Sequence, residues 1–296
     1  MTSILDERSL RKLKRDRMAM VSMAVIVLYV LVALLVRVGA FEWAGAFHDQ
    51  PIVVEEQEIA YYTSPSCETW QHWLGTDRQG RSILVRALYS INVAISVGVV
   101  TALIAVIVGT LLGAAAGYFR GRVDDVIVWF YSTLESIPYL LLLLVLSYVA
   151  GLKFGKGIVT IYVAFGATFW VGPCRVVRGE VIKLRESEYV QAARAIGRGN
   201  GGILFGHILP NVSHLAFVYF SLTFISAVKS EVILSFLNLG VQGVPSWGVM
   251  IEQARAELAV DFYWQIGAAT AFMFLLVLAF NIFTDALQDA VDPRTL

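Results

Sequence analysis

Apolar residues fall into long unbroken runs separated by short polar breaks. This is neither the stripe of a surface helix nor the alternation of a half-buried strand. The runs cover residues 18–36, 88–117, 126–150, 158–178, 214–236 and 265–284. A membrane span needs about 20 mostly apolar residues, so each run predicts one transmembrane helix. The expected fold is an all-α membrane protein with six transmembrane helices. A basic segment, Arg11, Lys12, Lys14, Arg15 and Arg17, precedes the first run. Lys and Arg are enriched on cytoplasmic flanks, which places the N-terminus inside. An even number of spans places the C-terminus there too. A cleaved signal peptide ending near Ala44-Gly45-Ala46 is the alternative. Its apolar stretch is typically about 7–15 residues, and this run is longer, so the first run is read as a retained span.

The breaks set the organisation. Residues 1–37 form a cytoplasmic N-terminus and the first helix. Residues 38–87, with Pro51, Pro65 and many Glu and Gln, form an external segment. Residues 88–296 form a five-helix core. Within it, 120–125 and the loop 179–213 face the cytoplasm, and 151–157 and 237–264 face outward. Gly109 and Gly113 form G-x-x-x-G, which permits close helix approach within or between subunits.

Composition removes whole classes. Hydrophobic residues are 57% and charged residues only 16%, against about 25% charged in soluble domains. Formal net charge is zero, whereas nucleic-acid binding needs a basic surface. Cys67 and Cys174 fall on opposite sides of the expected membrane, so a disulfide between them is not expected. The four histidines lie outside the apolar runs with no metal-ligand spacing. Nothing resembles a catalytic triad or a metal cluster. The chain is read as no enzyme, with no cofactor.

One stretch stands apart: YVQAARAIGRGNGGILFGHILPN, residues 189–211. Gly197, Gly199 and Gly202 spell G-x-G-x-x-G. That fingerprint binds dinucleotides only after a strand, and here Tyr189, Ala192, Ala193 and Ile196 precede it at helical spacing. No Gly-Lys-Ser/Thr follows, so a nucleotide loop is excluded. The pattern predicts a short helix, a glycine break and a second short helix at a sharp angle. Ser187 is expected to cap the first helix, with Glu188 beside its positive end. The glycines end it by accepting left-handed geometry, and Pro210 opens the next span. The product is a compact cytoplasmic knob suited to a groove on another protein. A surface loop without a partner is the plain alternative.

This stretch resembles the cytoplasmic coupling loop of ABC-transporter permeases. Their pattern is Glu-Ala-Ala, three residues, Gly, nine residues, then Ile-x-Leu-Pro. Ala192, Ala193, Gly197, Leu209 and Pro210 match it, while Gln191 stands for the glutamate and His207 for the isoleucine. Both departures look like variants of the oligopeptide/dipeptide branch. HWLGTDRQGRSILVRALYS (72–90), SFLNLGVQGVPSWGVMI (235–251) and LAFNIFTDALQDAVDPR (278–294) are similar to that branch as well. The resemblance covers nearly the whole chain and points to the second of two permeases in a peptide-type importer of a bacterial inner membrane. It implies four kinds of neighbour: a homologous second permease, two cytoplasmic ATPase subunits, an external substrate-binding protein and membrane lipid. It also implies that Tyr189, Gln191, Ala192, Ala193, Gly197, His207, Leu209 and Pro210 form the surface gripped by the ATPases. The outer motifs suggest contact between the binding protein and Asp77, Arg81, Pro245, Ser246 and Trp247. Solvated charges and an interfacial tryptophan are the alternative reading of these five.

Charges inside spans are expensive and face a pathway or a partner. Glu135 falls in span three, and Lys229 and Glu231 in span five. All three are candidates for the translocation path, with Lys229 attracting a carboxylate and Glu135 an amine. Glu231 is expected nearer the outer end. Mutual pairing of Glu135 and Lys229, or snorkelling, is the alternative. Pro138 is expected to kink span three. A permease for nickel or another small solute, an ion-coupled secondary transporter and a non-transporting scaffold are the competing functions. The last two lack support from mid-membrane charge relays, inverted repeats or any need for a knob.

Overall fold

The computed structural model describes residues 12–53 and 59–291. Arg11 of the basic cluster and residues 292–294 of the tail motif lie outside the described residues.

Helix α1 spans Arg17–Arg37, and the Asp16 side chain caps it by accepting from the backbone N–H groups of Met18 and Ala19. A short α2 follows at Ala40–Trp43. The chain between α2 and Ile83 is irregular apart from a short turn at Trp70–His72. Among the described residues its extended pairing is limited to single bridges, Val53 with Ile59 and Thr76 with Ser82. Then come α3 (Ile83–Phe119), α4 (Gly121–Glu135), α5 (Tyr139–Phe154), α6 (Ile158–Gly166) and α7 (Val171–Arg185). The order continues with α8 (Glu188–Ala195), α9 (Asn200–Ile203), α10 (Leu209–Phe236), α11 (Trp247–Glu257) and α12 (Trp264–Val291).

α3 is the central post, packing against α1, α7, α10 and α12. Its largest core holds Ile83, Ile91, Phe224, Trp247, Met250 and Leu276, with Phe224 stacked on Phe280 at 3.9 Å. Gly109, Gly113 and Gly117 form one stripe facing α7. A β-carbon on Gly109 would stand 2.6 Å from the Trp170 carbonyl oxygen, and one on Gly117 2.8 Å from that of Arg178. The glycine pattern therefore serves close packing inside this chain.

Among the described residues, five helical runs are long and apolar enough to cross a membrane: Arg17–Arg37, Ile83–Phe119, Ile158–Arg185, Asn200–Phe236 and Trp264–Ala290. The kink expected at Pro138 is a full break, and the third run, 126–150, is not one helix. α4 and α5 meet at 93°, and they make a sixth crossing only if the bent pair crosses as one. Pro138 explains the break: it has no N–H to give, and its ring drives the preceding Ile137 away from helical geometry.

Candidate functional site

The 189–211 stretch folds partly as expected. α8 ends in a Schellman turn, with Arg198 N–H on the Ala193 carbonyl (3.1 Å) and Gly197 N–H on that of Arg194 (3.0 Å). Gly197 sits at φ +81°, a region that only glycine enters at little expense. Two expectations fail. Ser187 makes no side-chain cap; its hydroxyl instead donates back to the Leu184 carbonyl at 2.5 Å. The second short helix is not separate either. α9 passes through a π-turn at Leu204–Ile208 directly into α10, so 200–236 is one continuous run. Pro210 does not end the run: the π-turn at Leu204–Ile208 lies directly before it, where its missing N–H would otherwise break the regular ladder.

The inner side of this region is a core in its own right. Val190, Ala193, Ile203 and Ile208 pack against Ala114 and Tyr118 of α3 and Val177 and Val181 of α7. Tyr118 donates its hydroxyl to Asn200 Oδ1 at 2.9 Å. Arg198 donates to His207 Nε2 at 2.9 Å, and Asn211 donates to the Tyr189 hydroxyl at 3.2 Å. Gln191 is exposed and donates to the Glu186 carbonyl. The outer side carries exposed apolar side chains, Ile196 at 83% and Phe205 at 63%, among exposed Gln191, Arg194 and Arg198. Ala192 and Pro210 are exposed, and His207 and Leu209 half-buried.

A cavity of about 580 Å³ opens where α4 breaks into α5, against α7 and α10. Glu135, Pro138, Tyr139, Thr168, Arg175 and Tyr219 lie on its wall. Glu135 forms an ion pair with Arg175 of α7. The two side chains are 40% and 52% exposed. Arg175 was missed by sequence reasoning, although an arginine three residues from the end of the run 158–178 was a visible signal. The guanidinium also lies over the Tyr131 ring at 5.5 Å, one turn before Glu135 on α4. Neither of the other two path candidates joins this cavity. Lys229 is exposed on α10 and does not pair with Glu135. Glu231 does not reach the outer surface: it is 1% exposed, and its Oε1 accepts from the Ser235 hydroxyl at 2.6 Å. The loop after α10 folds back over it, because the same hydroxyl accepts from Val241 N–H and Gly248 lets α11 approach Val232.

The outer motifs meet in a third place. Asp77 is fully buried and holds two arginines, Arg81 at 2.7 Å and Arg86 at 2.6 Å. Both guanidiniums also donate to Gln253 Oε1 on α11. Burial raises the proton affinity of Asp77, but Arg86 and Arg81 outweigh it and leave the carboxyl below its ordinary range. Nearby Glu257 accepts from Arg78 N–H through Oε1, while Oε2 is buried without a partner. Burial pushes its carboxyl up, and the negative Asp77 adds to this, against Arg78 and Arg86. Pro245, Ser246 and Trp247 are buried, not interfacial. Ser246 caps α11, and the Trp247 indole donates to the Ala87 carbonyl of α3. Four of the five expected outer contacts thus point inward, and only Arg81 is part-exposed. Sequence order could not show this, since the 72–90 and 235–251 motifs bury each other.

Comparison with known proteins agrees with this layout. Residues 109–296 match the family described as binding-protein-dependent transport system inner membrane component. Residues 7–44 match the N-terminal TM domain of oligopeptide transport permease C. The chain is 33% identical over 285 residues to the dipeptide transport system permease protein DppC of Bacillus subtilis, covering 96% of this chain and 84% of that one. It is 32% identical over 291 residues to the oligopeptide transport system permease protein OppC of Haemophilus influenzae, covering 98% and 90%. The glutathione transport system permease protein GsiD of Escherichia coli is 32% identical over 285 residues, covering 96% and 89%. With the family matched over most of its length and with such relatives, the chain belongs to the inner-membrane components of binding-protein-dependent transport systems and is a multi-pass permease subunit of an ABC importer, not itself an enzyme.

Proposed function

We propose that this chain forms half of a peptide translocation path and is driven by two ATPase subunits that grip α8 and the turn after it. One observation carries this reading: an exposed apolar tip, Ile196 and Phe205, stands on a buried core shared with α3 and α7. A push on that tip moves membrane helices instead of dissipating in a loose loop. The Schellman turn at Gly197 and the Arg198–His207 bond stiffen it. The relatives are named for dipeptide, oligopeptide and glutathione transport, which supports a peptide substrate. A homologous second permease would complete the path, an external binding protein would deliver the solute, and both termini would face the cytoplasm. The cavity beside Glu135 is our candidate for this chain's part of the path.

The test is purification of the whole assembly from native membrane with its partners, followed by reconstitution. Gly197→Glu is expected to insert normally and to separate ATP hydrolysis from uptake. Stimulated uptake at wild-type rates by that variant would remove the docking assignment. For orientation, Cys67 is exposed and Cys174 buried. An impermeant thiol reagent added outside should label Cys67 alone.

A further inference from the structure

Among the described residues two ion pairs join α4 and α7, and they are built differently. Arg178 of α7 holds Asp124 of α4 through two bonds, 2.5 and 2.7 Å, with side chains 26% and 15% exposed. This shielded, two-point pair is enough to fasten α4 to α7. Three residues earlier on α7, Arg175 forms an ion pair with Glu135. That pair is about half exposed, and what it is exposed to is the cavity. Tyr131 supports the guanidinium from one side without using its donors. A second fastening is redundant at this junction, and a half-exposed pair adds little as one.

We propose that Glu135 and Arg175 form a binding subsite for zwitterionic solutes, Arg175 receiving a carboxylate and Glu135 an ammonium. This deepens the reading of the cavity as part of the path and rests on it. Charge conservation is the physical reason. The closed pair is neutral overall, so it is tolerated between membrane helices. A zwitterion is neutral too, and inserting it between the partners exchanges one ion pair for two without leaving a charge alone. A solute with only one of the two charges opens the pair and strands one protein charge. The volume, about 580 Å³, falls within the range of about 300–1,000 Å³ usual for small-molecule pockets. On the same wall the Tyr219 hydroxyl can bond a peptide backbone, while those of Tyr139 and Thr168 are engaged with Ser230 and with the Ala164 and Phe165 carbonyls.

The experiment uses the purified assembly in nanodiscs without its binding protein, so that selection upstream does not enter. Binding of dialanine, N-acetyl-dialanine and dialanine amide is measured directly. Wild type is expected to bind dialanine roughly ten- to hundredfold more tightly than either capped form, as for loss of one charge-assisted hydrogen bond. Glu135→Gln should erase the preference over the N-acetyl form only, and Arg175→Gln the preference over the amide only. Glu135→Arg with Arg175→Glu should restore zwitterion preference. Arg175→Lys, which keeps the charge, should retain it and covers the case where Arg175→Gln fails to assemble. Equal binding of the three probes by wild type, or a preference that survives both single substitutions, overturns the subsite and leaves the permease reading intact. Failure of the complete wild-type system to take up dialanine with ATP overturns the peptide reading and the subsite together.

Discussion

Asp77 and Glu135 are both carboxylates held by arginine, in opposite circumstances. Asp77 is sealed among Arg81, Arg86 and Gln253, with side-chain exposures of 1% for itself and 3% for Arg86. It joins the segment before α3 to α3 and, through the arginines on Gln253, to α11. Glu135 faces a cavity with 40% of its side chain exposed. The chemistry of the two pairs is the same, and burial alone separates a clamp from a site. A sealed pair cannot open without stranding charge in a dry interior. An open pair can exchange partners, because water or solute solvates each charge as the other leaves. The Asp124–Arg178 pair lies between these limits.

The comparison predicts a graded series. Asp77→Asn should have the largest effect, about 3–5 kcal/mol of destabilisation, since two guanidiniums lose a buried partner. Thermal unfolding of the purified assembly measures it, and a loss below about 1 kcal/mol would mean the clamp is not one. Asp124→Asn should follow at about 1.5–3 kcal/mol, the range for hydrogen bonds to a charged group. Its loss should appear in the same melting assay, with protease access between α4 and α7 as a second readout.

Glu257 sharpens the contrast through pH. Its folded carboxyl is raised mainly by burial, so the folded chain holds a proton that the unfolded chain has released. Stability from this group is full below its unfolded value of about 4.3 and declines as pH rises through the folded value. Asp77 runs the other way: its carboxyl is depressed, so its contribution is present above the ordinary aspartate range and lost as pH falls through the folded value. Glu257→Gln should therefore stabilise the assembly at neutral pH and leave it unchanged below pH ~4. Melting temperatures across pH 4–8 decide this, and a variant less stable than wild type at neutral pH would show that the carboxylate is needed charged. The smallest effect belongs to Glu135→Gln, below about 1 kcal/mol, because its pair is half solvated. A loss as large as that of Asp77→Asn would make it a second clamp.

Much of this was legible in the order of residues. Apolar runs marked most membrane helices because a lipid-facing backbone must be helical whatever surrounds it. Pro138 announced the break between α4 and α5, and Gly197 the end of α8, because each acts through its own φ and its own N–H. The polar segment 38–87 and the amphipathic stretch at 188–197 were equally local. Packing decided the rest. The Ser187 hydroxyl had a local choice of two partners and took Leu184. Residues 200–236 became one helix because Ile203, Leu204 and Ile208 all find places in the core against α3 and α7. Whether Asp77 and Trp247 met water or a packed interior depended on contacts more than 150 residues apart, such as Trp247 with Ala87 and Arg86 with Gln253. Glu135 found Arg175 and not Lys229 because α7, not the C-terminal part of α10, lies against α4 there. Hydropathy and turn chemistry report what a residue does to its own backbone. Which charge faces which is set by how helices pack, and no local pattern carries that.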